Sequence, residues 1–254
     1  MDFFHIRHAT SFVSFGGLKL LIDPVFSPKG HRDPIPMTPH PVRNPTVELP
    51  LGSEELAQQL LSLDLLLVTH RHEDHYDKVA KEILPRHIPV ICQPQDEAAF
   101  INDGFTSIHP VMDSMTFKGV QISRTSGQHG LEREDLGPVS GFVLENPREP
   151  VVYFTGDTVW CPEVEKALAD HQPDIVVVNA GGARFLVGKQ ITMTDEDIGF
   201  IMEKSPPVRV IAVHMEAINH CIQSRQELRH WARKRGISHK LLIPEDGENV
   251  LDLH

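Results

Sequence analysis

Thr69-His70-Arg71-His72-Glu73-Asp74-His75-Tyr76-Asp77 is the stretch that decides how this chain folds and what it carries. Four metal-ligand side chains, His70, His72, Asp74 and His75, fall within six residues. They follow directly on Leu65-Leu66-Leu67-Val68, a short continuous apolar run that predicts a buried strand. His70 and His72 are two residues apart, so at a strand end they point to the same side and their imidazoles can converge on one cation. Asp74 and His75 come where the chain turns into the next helix, placed to face a second cation beside the first. The plain alternative is a solvated polar turn. It is disfavoured because the strand drives these groups into the protein, where each would need a partner.

Working outward, the residues before this stretch predict strands over 3–26, with Gly16-Gly17 as a hairpin turn between two apolar runs. Residues 27–50 are rich in proline and form a long loop expected to shape a pocket mouth. A helix is predicted over 53–63 with Ser53 as its N-cap, and another over 78–84 that Pro85 stops. Further along, strands are predicted at 89–92, 119–124, 140–144, 151–154, 174–179 and 208–213. Helices are predicted at 96–102, 163–169, 195–203 (with Thr194 as N-cap) and 224–235, the last closed by Gly236. Short buried strands alternating with helices indicate an α/β fold, and no internal linker divides residues 1–254, which are expected to form one domain.

Composition removes several classes of function. The 254 residues carry 24 basic and 35 acidic side chains, a net charge of −11, which argues against a nucleic-acid partner. No apolar run is long enough for a membrane span, and the first ten residues show no signal-peptide pattern. Three cysteines without a CxxC pair exclude a disulfide scaffold and a thiolate zinc site, so a reducing cytoplasm is the expected location. Histidine is the unusual count, at 16.

The histidine stretch resembles the signature of the metallo-β-lactamase superfamily, His-x-His-x-Asp-His, at His70, His72, Asp74 and His75. The other motifs of that family occur in order: Asp23 in Leu-Leu-Ile-Asp-Pro, His129 in Ser-Gly-Gln-His-Gly, Asp157 in Thr-Gly-Asp-Thr, and His214 in Val-His-Met-Glu. The resemblance spans about the whole chain. It implies a four-layered αββα sandwich with metals at one edge. It further implies that His70, His72 and His129 hold one metal, that Asp74, His75 and His214 hold another, and that Asp157 bridges them. Asp23 is implied as the residue behind the ligands that orients one of them. Arg7-His8-Ala9-Thr10, Ile22-Asp23-Pro24 and Asn179-Ala180-Gly181-Gly182 resemble the branch of ascorbate-6-phosphate lactonase and N-acyl phosphatidylethanolamine phospholipase D.

The resemblance implies a dinuclear metal-dependent hydrolase in which a metal-bridging hydroxide attacks a small ester or lactone. A phosphodiester is the alternative substrate. Zinc suits the imidazole-rich set, and manganese is compatible with two carboxylates. Asp74 or His220 could return a proton to the leaving group. His220 has a solvated loop position as its alternative, and His8 is read as lining the pocket or forming a structural hydrogen bond. Cys221 could be a soft ligand or a buried inert thiol. Two other classes are weaker. A di-iron redox protein of this fold is expected to carry Glu in place of His72, and a non-catalytic scaffold is expected to have lost ligands. The partner is a small molecule, which could be anionic, and the lactonase likeness hints at a homo-oligomer.

Overall fold

The computed structural model describes residues 1–131 and 136–252. The hairpin predicted around Gly16-Gly17 forms: β1 (Asp2–Arg7), β2 (Thr10–Phe15) and β3 (Leu18–Ile22) are consecutive antiparallel strands. Both glycines have positive φ, 58° and 80°, as a two-residue hairpin turn that follows the strand twist requires. The sheet then continues in parallel through β4 (Leu65–Val68), β5 (Val90–Cys92) and β6 (Ile108–Pro110). The second sheet has the same plan. The strands β7 (Ser114–Phe117), β8 (Val120–Ser126), β9 (Ser140–Glu145) and β10 (Val152–Phe154) are antiparallel. They pass into the parallel strands β11 (Ile175–Asn179), β12 (Arg209–Val213) and β13 (Leu241–Leu242). A last strand, β14 (Glu248–Asp252), returns to pair with β1 and completes the first sheet.

Alternation along the strands explains the layers. In β4, Leu65 and Leu67 face the second sheet, while Leu66 and Val68 face outward under helices. In β11, Ile175 and Val177 face inward, and Val176 and Val178 face the opposite helices. Strands covered on both faces must be apolar throughout, which is why these runs show no polar alternation in the sequence. The helices α1 (Ser53–Leu61), α2 (Lys78–Ile83) and α3 (Glu97–Asn102) cover the first sheet. The second is covered by α4 (Pro162–His171), α5 (Asp195–Lys204) and α6 (Arg225–Arg235). The result is the expected αββα sandwich.

Local signals held in most places. Thr194 and Ser224 cap α5 and α6 through capping boxes with Asp197 and Glu227. Ser53 does not cap α1. It is the first helical residue, with Gly52 in the extended N-cap position and no side-chain cap bond. Among the described residues, no helix is long and apolar enough to cross a membrane.

The topology brings the ends of β4, β10, β11 and β12 to one edge of the sandwich. The two sheets are joined there by a backbone bond from His214 N to His8 O, 2.7 Å. Between β3 and α1 the chain runs as the long proline-rich loop, whose backbone pairs with itself at Arg32 and Asn44.

Candidate metal centre

Each imidazole of the centre has one nitrogen held from behind, which turns the other toward a common point. Asp23 closes β3 and accepts three bonds: Thr69 N to Oδ1 at 2.8 Å, Thr69 Oγ1 to Oδ2 at 2.7 Å, and His75 Nδ1 to Oδ2 at 2.8 Å. It thus fixes both the start of the histidine stretch and the ring of His75. His70 Nδ1 lies 3.1 Å from Thr69 Oγ1, His72 Nε2 2.9 Å from Leu136 O, and His129 Nδ1 2.9 Å from Ile191 O. His214 Nδ1 lies 3.5 Å from Cys221 Sγ. Such partners select the tautomer whose far nitrogen carries a lone pair inward.

Two buried carboxylates face those inward nitrogens. Asp157 lies 3.2 Å from His75 Nε2, 3.3 Å from His214 Nε2 and 3.7 Å from His129 Nε2. Asn179, at the end of β11, donates to Asp157 Oδ1 at 2.6 Å and fixes the carboxylate's rotation. Gly156 turns the chain out of β10 with φ +64°, and a Cβ there would lie 2.5 Å from Ser140 O, so this step of the Thr-Gly-Asp-Thr motif requires glycine. Asp74 Oδ2 is ringed by His8 Nε2 at 3.4 Å, His220 Nε2 at 3.5 Å and His214 Nε2 at 3.6 Å.

The electrostatics suit cation binding. Burial opposes ionisation of Asp157, but the neighbouring His214 and His75 outweigh it and hold its pKa well below the usual carboxylate range. Asp74 is held low in the same way, against burial, by His214 and His8. Burial pushes His8, His70 and His129 down, so they are neutral and able to donate a lone pair. His75 is the exception. Burial lowers its pKa, yet Asp157 and Asp23 raise it more, so positive charge is favoured between these carboxylates. His75 Nε2 and His214 Nε2 have no hydrogen-bond partner among the described residues, although both are buried.

These groups fit metal ions. The ligand atoms of His70, His72 and His129 lie within 4.8 Å of one another, as do those of His70, His75 and Asp157, and those of His8, Asp74, His75 and His214. A zinc–nitrogen bond of about 2.0–2.1 Å places an imidazole centroid roughly 3.2 Å from the ion, so rings sharing a tetrahedral ion lie roughly 5 Å apart. The observed separations are 4.4 Å for His70–His72, 5.1 Å for His72–His129, 5.6 Å for His70–His129 and 5.1 Å for His75–His214. His8 sits 3.6 Å from His214, stacked on it with a 38° tilt. That is close for two rings on one tetrahedral ion, and His8 Nε2 lies 3.4 Å from Asp74 Oδ2. His220 falls outside the three ligand groups.

The centre opens onto a cavity of about 340 Å³. His72, Asp74, His129 and His220 form its floor, and Ile35, Leu136, Phe185 and Ile191 give it an apolar wall. The loop expected at the pocket mouth is there, through Arg32–Pro36 and Asn44. Cys221 lies behind His214, and its thiol pKa is pushed well up by burial, so it is an inert support. Glu245 and Asp246 face Arg225 instead of the centre. Sequence reasoning gave no role to Asn179, Asn219 or Arg32. Only Asn179 carries a signal, as a polar residue ending an apolar strand.

Comparison with known proteins shows the family and the fold. Residues 19–215 match the family model described as beta-lactamase superfamily domain. The chain is 38% identical over 254 residues to UPF0173 protein YddR of Bacillus subtilis, covering 98% of this chain and 99% of that protein. The crystal structure of an isothiocyanate hydrolase from Delia radicum gut bacteria superimposes with a TM-score of 0.93 at 35% identity, covering 99% of both chains. A protein of Veillonella parvula described as a possible metal-dependent hydrolase gives a TM-score of 0.94 at 32% identity, covering 98% of both. The chain belongs to the beta-lactamase superfamily and has the metallo-β-lactamase fold.

Proposed function

We propose that this metal-dependent hydrolase holds two adjacent cations, one on His70, His72 and His129 and the other on Asp74, His75 and His214, with Asp157 between them. Zinc suits the donor set, with manganese as the alternative. Bound there, the ions would lower the pKa of a water toward neutrality and polarise the substrate. The chain's own residues do the rest. Asp74 and Asp157 stay ionised and fix the negative end of the site. His220 is buried, its pKa pushed down to about 4 by that burial, and it is neutral at pH 7. Its Nε2 faces Asp74 Oδ2 at 3.5 Å on the floor of the cavity, where the neutral ring can offer a hydrogen bond to the substrate. Return of a proton to the leaving atom falls to Asp74, once that carboxylate has taken the proton of the attacking water. His8 steadies Asp74 from the other side.

The substrate is a small molecule with an apolar body and an electrophilic carbon. The cavity supports a small, partly apolar substrate, with ligand-type residues on its floor, an apolar wall and a volume near the lower end of small-molecule sites. The electrophilic carbon rests on the likeness to the protein described as an isothiocyanate hydrolase. Esters and lactones meet this description, and the segments around His8 and Asp23 support kinship with the lactonase branch. The related protein described as an isothiocyanate hydrolase adds a second class with the same kind of electrophilic carbon. Both sheets contribute to the site, which supports treating residues 1–254 as one catalytic domain.

The test is a turnover screen over lactones, carboxylic esters, isothiocyanates, phosphodiesters and β-lactams, with metal measured on the same chelator-free batch. The expected result is two metal equivalents and turnover of a carbon electrophile. Asp157→Ala should remain folded and lose both. Turnover confined to phosphodiesters would overturn the carbon reading, and less than one metal per chain would overturn the dinuclear one.

A further inference from the structure

Arg32 stands at the mouth of the cavity with part of its hydrogen-bonding capacity unused. Its side chain is 16% exposed and Nη1 donates to Glu73 Oε2 at 3.2 Å. Glu73 lies between His72 and Asp74, so the guanidinium is braced against the histidine stretch itself. Nε and Nη2, the adjacent pair that forms the side-on edge of a guanidinium, are buried and have no partner among the described residues. Buried charged donors left unpaired are unfavourable, so an acceptor that reached this edge would be bound favourably.

The position is also held rigidly. Arg32 N donates to Asn44 O at 2.8 Å, and Asn44 N donates to Arg32 O at 2.9 Å. Asn44 Nδ2 in turn donates to Asn219 Oδ1 at 2.7 Å, and Asn219 N to Asn44 Oδ1 at 2.9 Å. Asn219 immediately precedes His220. The backbone of Arg32 is therefore tied through Asn44 and Asn219 to the segment that carries the floor of the cavity, while the guanidinium itself is held by Glu73. Of the other charged side chains around the opening, Asp33 is paired with Arg43, and Glu73 and Asp74 are acidic. Arg32 is the cation among the described residues lining this cavity.

We propose that the side-on edge of Arg32 recognises a carboxylate of the substrate, so that the preferred substrates are small apolar acids that also carry the electrophilic carbon. This rests on the hydrolase reading of the cavity for its second half, and on Arg32 alone for its first. A guanidinium edge matches the two oxygens of a carboxylate in one plane, whereas an ammonium offers only a point charge.

The experiment separates the two halves by measuring binding apart from turnover. Zinc-loaded protein is titrated calorimetrically with 4-phenylbutyrate and with its neutral analogue 4-phenylbutyramide, in wild type, Arg32→Gln and Arg32→Lys. Metal content and thermal melts are checked on each. Wild type should bind the carboxylate at least ten-fold more tightly than the amide. Arg32→Gln should abolish that preference while leaving metal content and amide binding unchanged, and Arg32→Lys should recover only part of it. An undiminished carboxylate preference in Arg32→Gln would mean that the metals or the apolar wall hold the anion, and the proposal falls. It falls equally if wild type shows no preference, or if Arg32→Gln weakens inorganic phosphate but not 4-phenylbutyrate. Should the preference behave as expected while the turnover screen finds no hydrolysis, the carboxylate site stands and the hydrolase reading fails.

Discussion

Asp23→Asn tests whether the ligands are set by hydrogen bonds from behind. The substitution preserves shape and removes a charge from a residue that is 2% exposed. The amide oxygen can still accept from Thr69 N, now 2.8 Å from Oδ1. The amide nitrogen takes the place of Oδ2, which accepts from His75 Nδ1 at 2.8 Å and from Thr69 Oγ1 at 2.7 Å. A donor now faces a donor. The least costly adjustment is for His75 to give up its Nδ1 proton and carry it on Nε2, the nitrogen 3.2 Å from Asp157. That proton occupies the lone pair a cation would need. Loss of such a partner typically costs 10–100-fold in metal affinity, or about 1.4–2.8 kcal/mol. Folding should suffer less, by about 1 kcal/mol for one weakened hydrogen bond, because Thr69 Oγ1 can rotate. The assay is a chelator-competition titration for zinc, run beside thermal melts in excess chelator. Metal affinity equal to wild type, with the melt unchanged, would refute the tautomer reasoning. A large fall in the metal-free melt would show instead that Asp23 is chiefly a folding element.

Other substitutions separate the remaining roles. His220→Ala should keep near-normal metal content and turn over slowly; loss of a full metal equivalent would make His220 a ligand and demote His214. Asn219→Ala removes the acceptor for Ile35 N and Asn44 Nδ2 and the donor to Thr38 and His40 O. It should raise KM several-fold with metal content intact, and equal KM values would show that the loop is held elsewhere. Gly181→Ala places a Cβ 2.2 Å from His214 O and 2.8 Å from Cys221 Sγ, both buried. Overpacking of this kind costs roughly 1–3 kcal/mol, so the melt should fall by several degrees, together with the affinity for one zinc; an unchanged melt would contradict the packing.

The candidate ligand cluster was legible because it is chemical and mostly local. His70, His72, Asp74 and His75 announce themselves by residue type, and the apolar run before them gives the direction in which they point. The sandwich core was legible for a related reason: β4 and β11 are apolar at every position, and only burial on both faces explains that. The short edge strands were harder. Every residue of β6 is half-exposed, and β7 alternates between exposed and half-exposed positions, so neither shows the continuous burial that marked β4 and β11. The pocket mouth was least legible. Asn44 and Asn219 are 175 residues apart, and each lies in an irregular segment with no periodicity to betray it. Arg32 likewise looks like any surface arginine until its neighbours are known.

Backbone strain at the site was also invisible in the sequence, and it explains why the supports are so numerous. His8, Asp23, His214 and Glu216 all adopt left-handed conformations, with φ of 59°, 41°, 60° and 61°. None is glycine, so each costs roughly 1–2 kcal/mol. Every one of them sits where the chain leaves a strand at the metal centre, and every one is tied down. His8 O accepts from His214 N, Asp23 O from Thr10 Oγ1 at 2.7 Å, and the Glu216 carboxylate from Arg225 N and Nη1. Arg225 is buried in the first turn of α6, and its other donors go to Pro244 O and Asp246. The Arg225 and Thr10 bonds therefore hold the backbone in turns that aim His214, His8 and Asp23 at the centre. Glycine would remove the strain, but at His8, Asp23 and His214 it would also remove a ring or carboxylate at the centre, and at Glu216 the carboxylate that holds Arg225. The strain and the site thus have one cause: strands must end abruptly for side chains from two sheets to meet at a point.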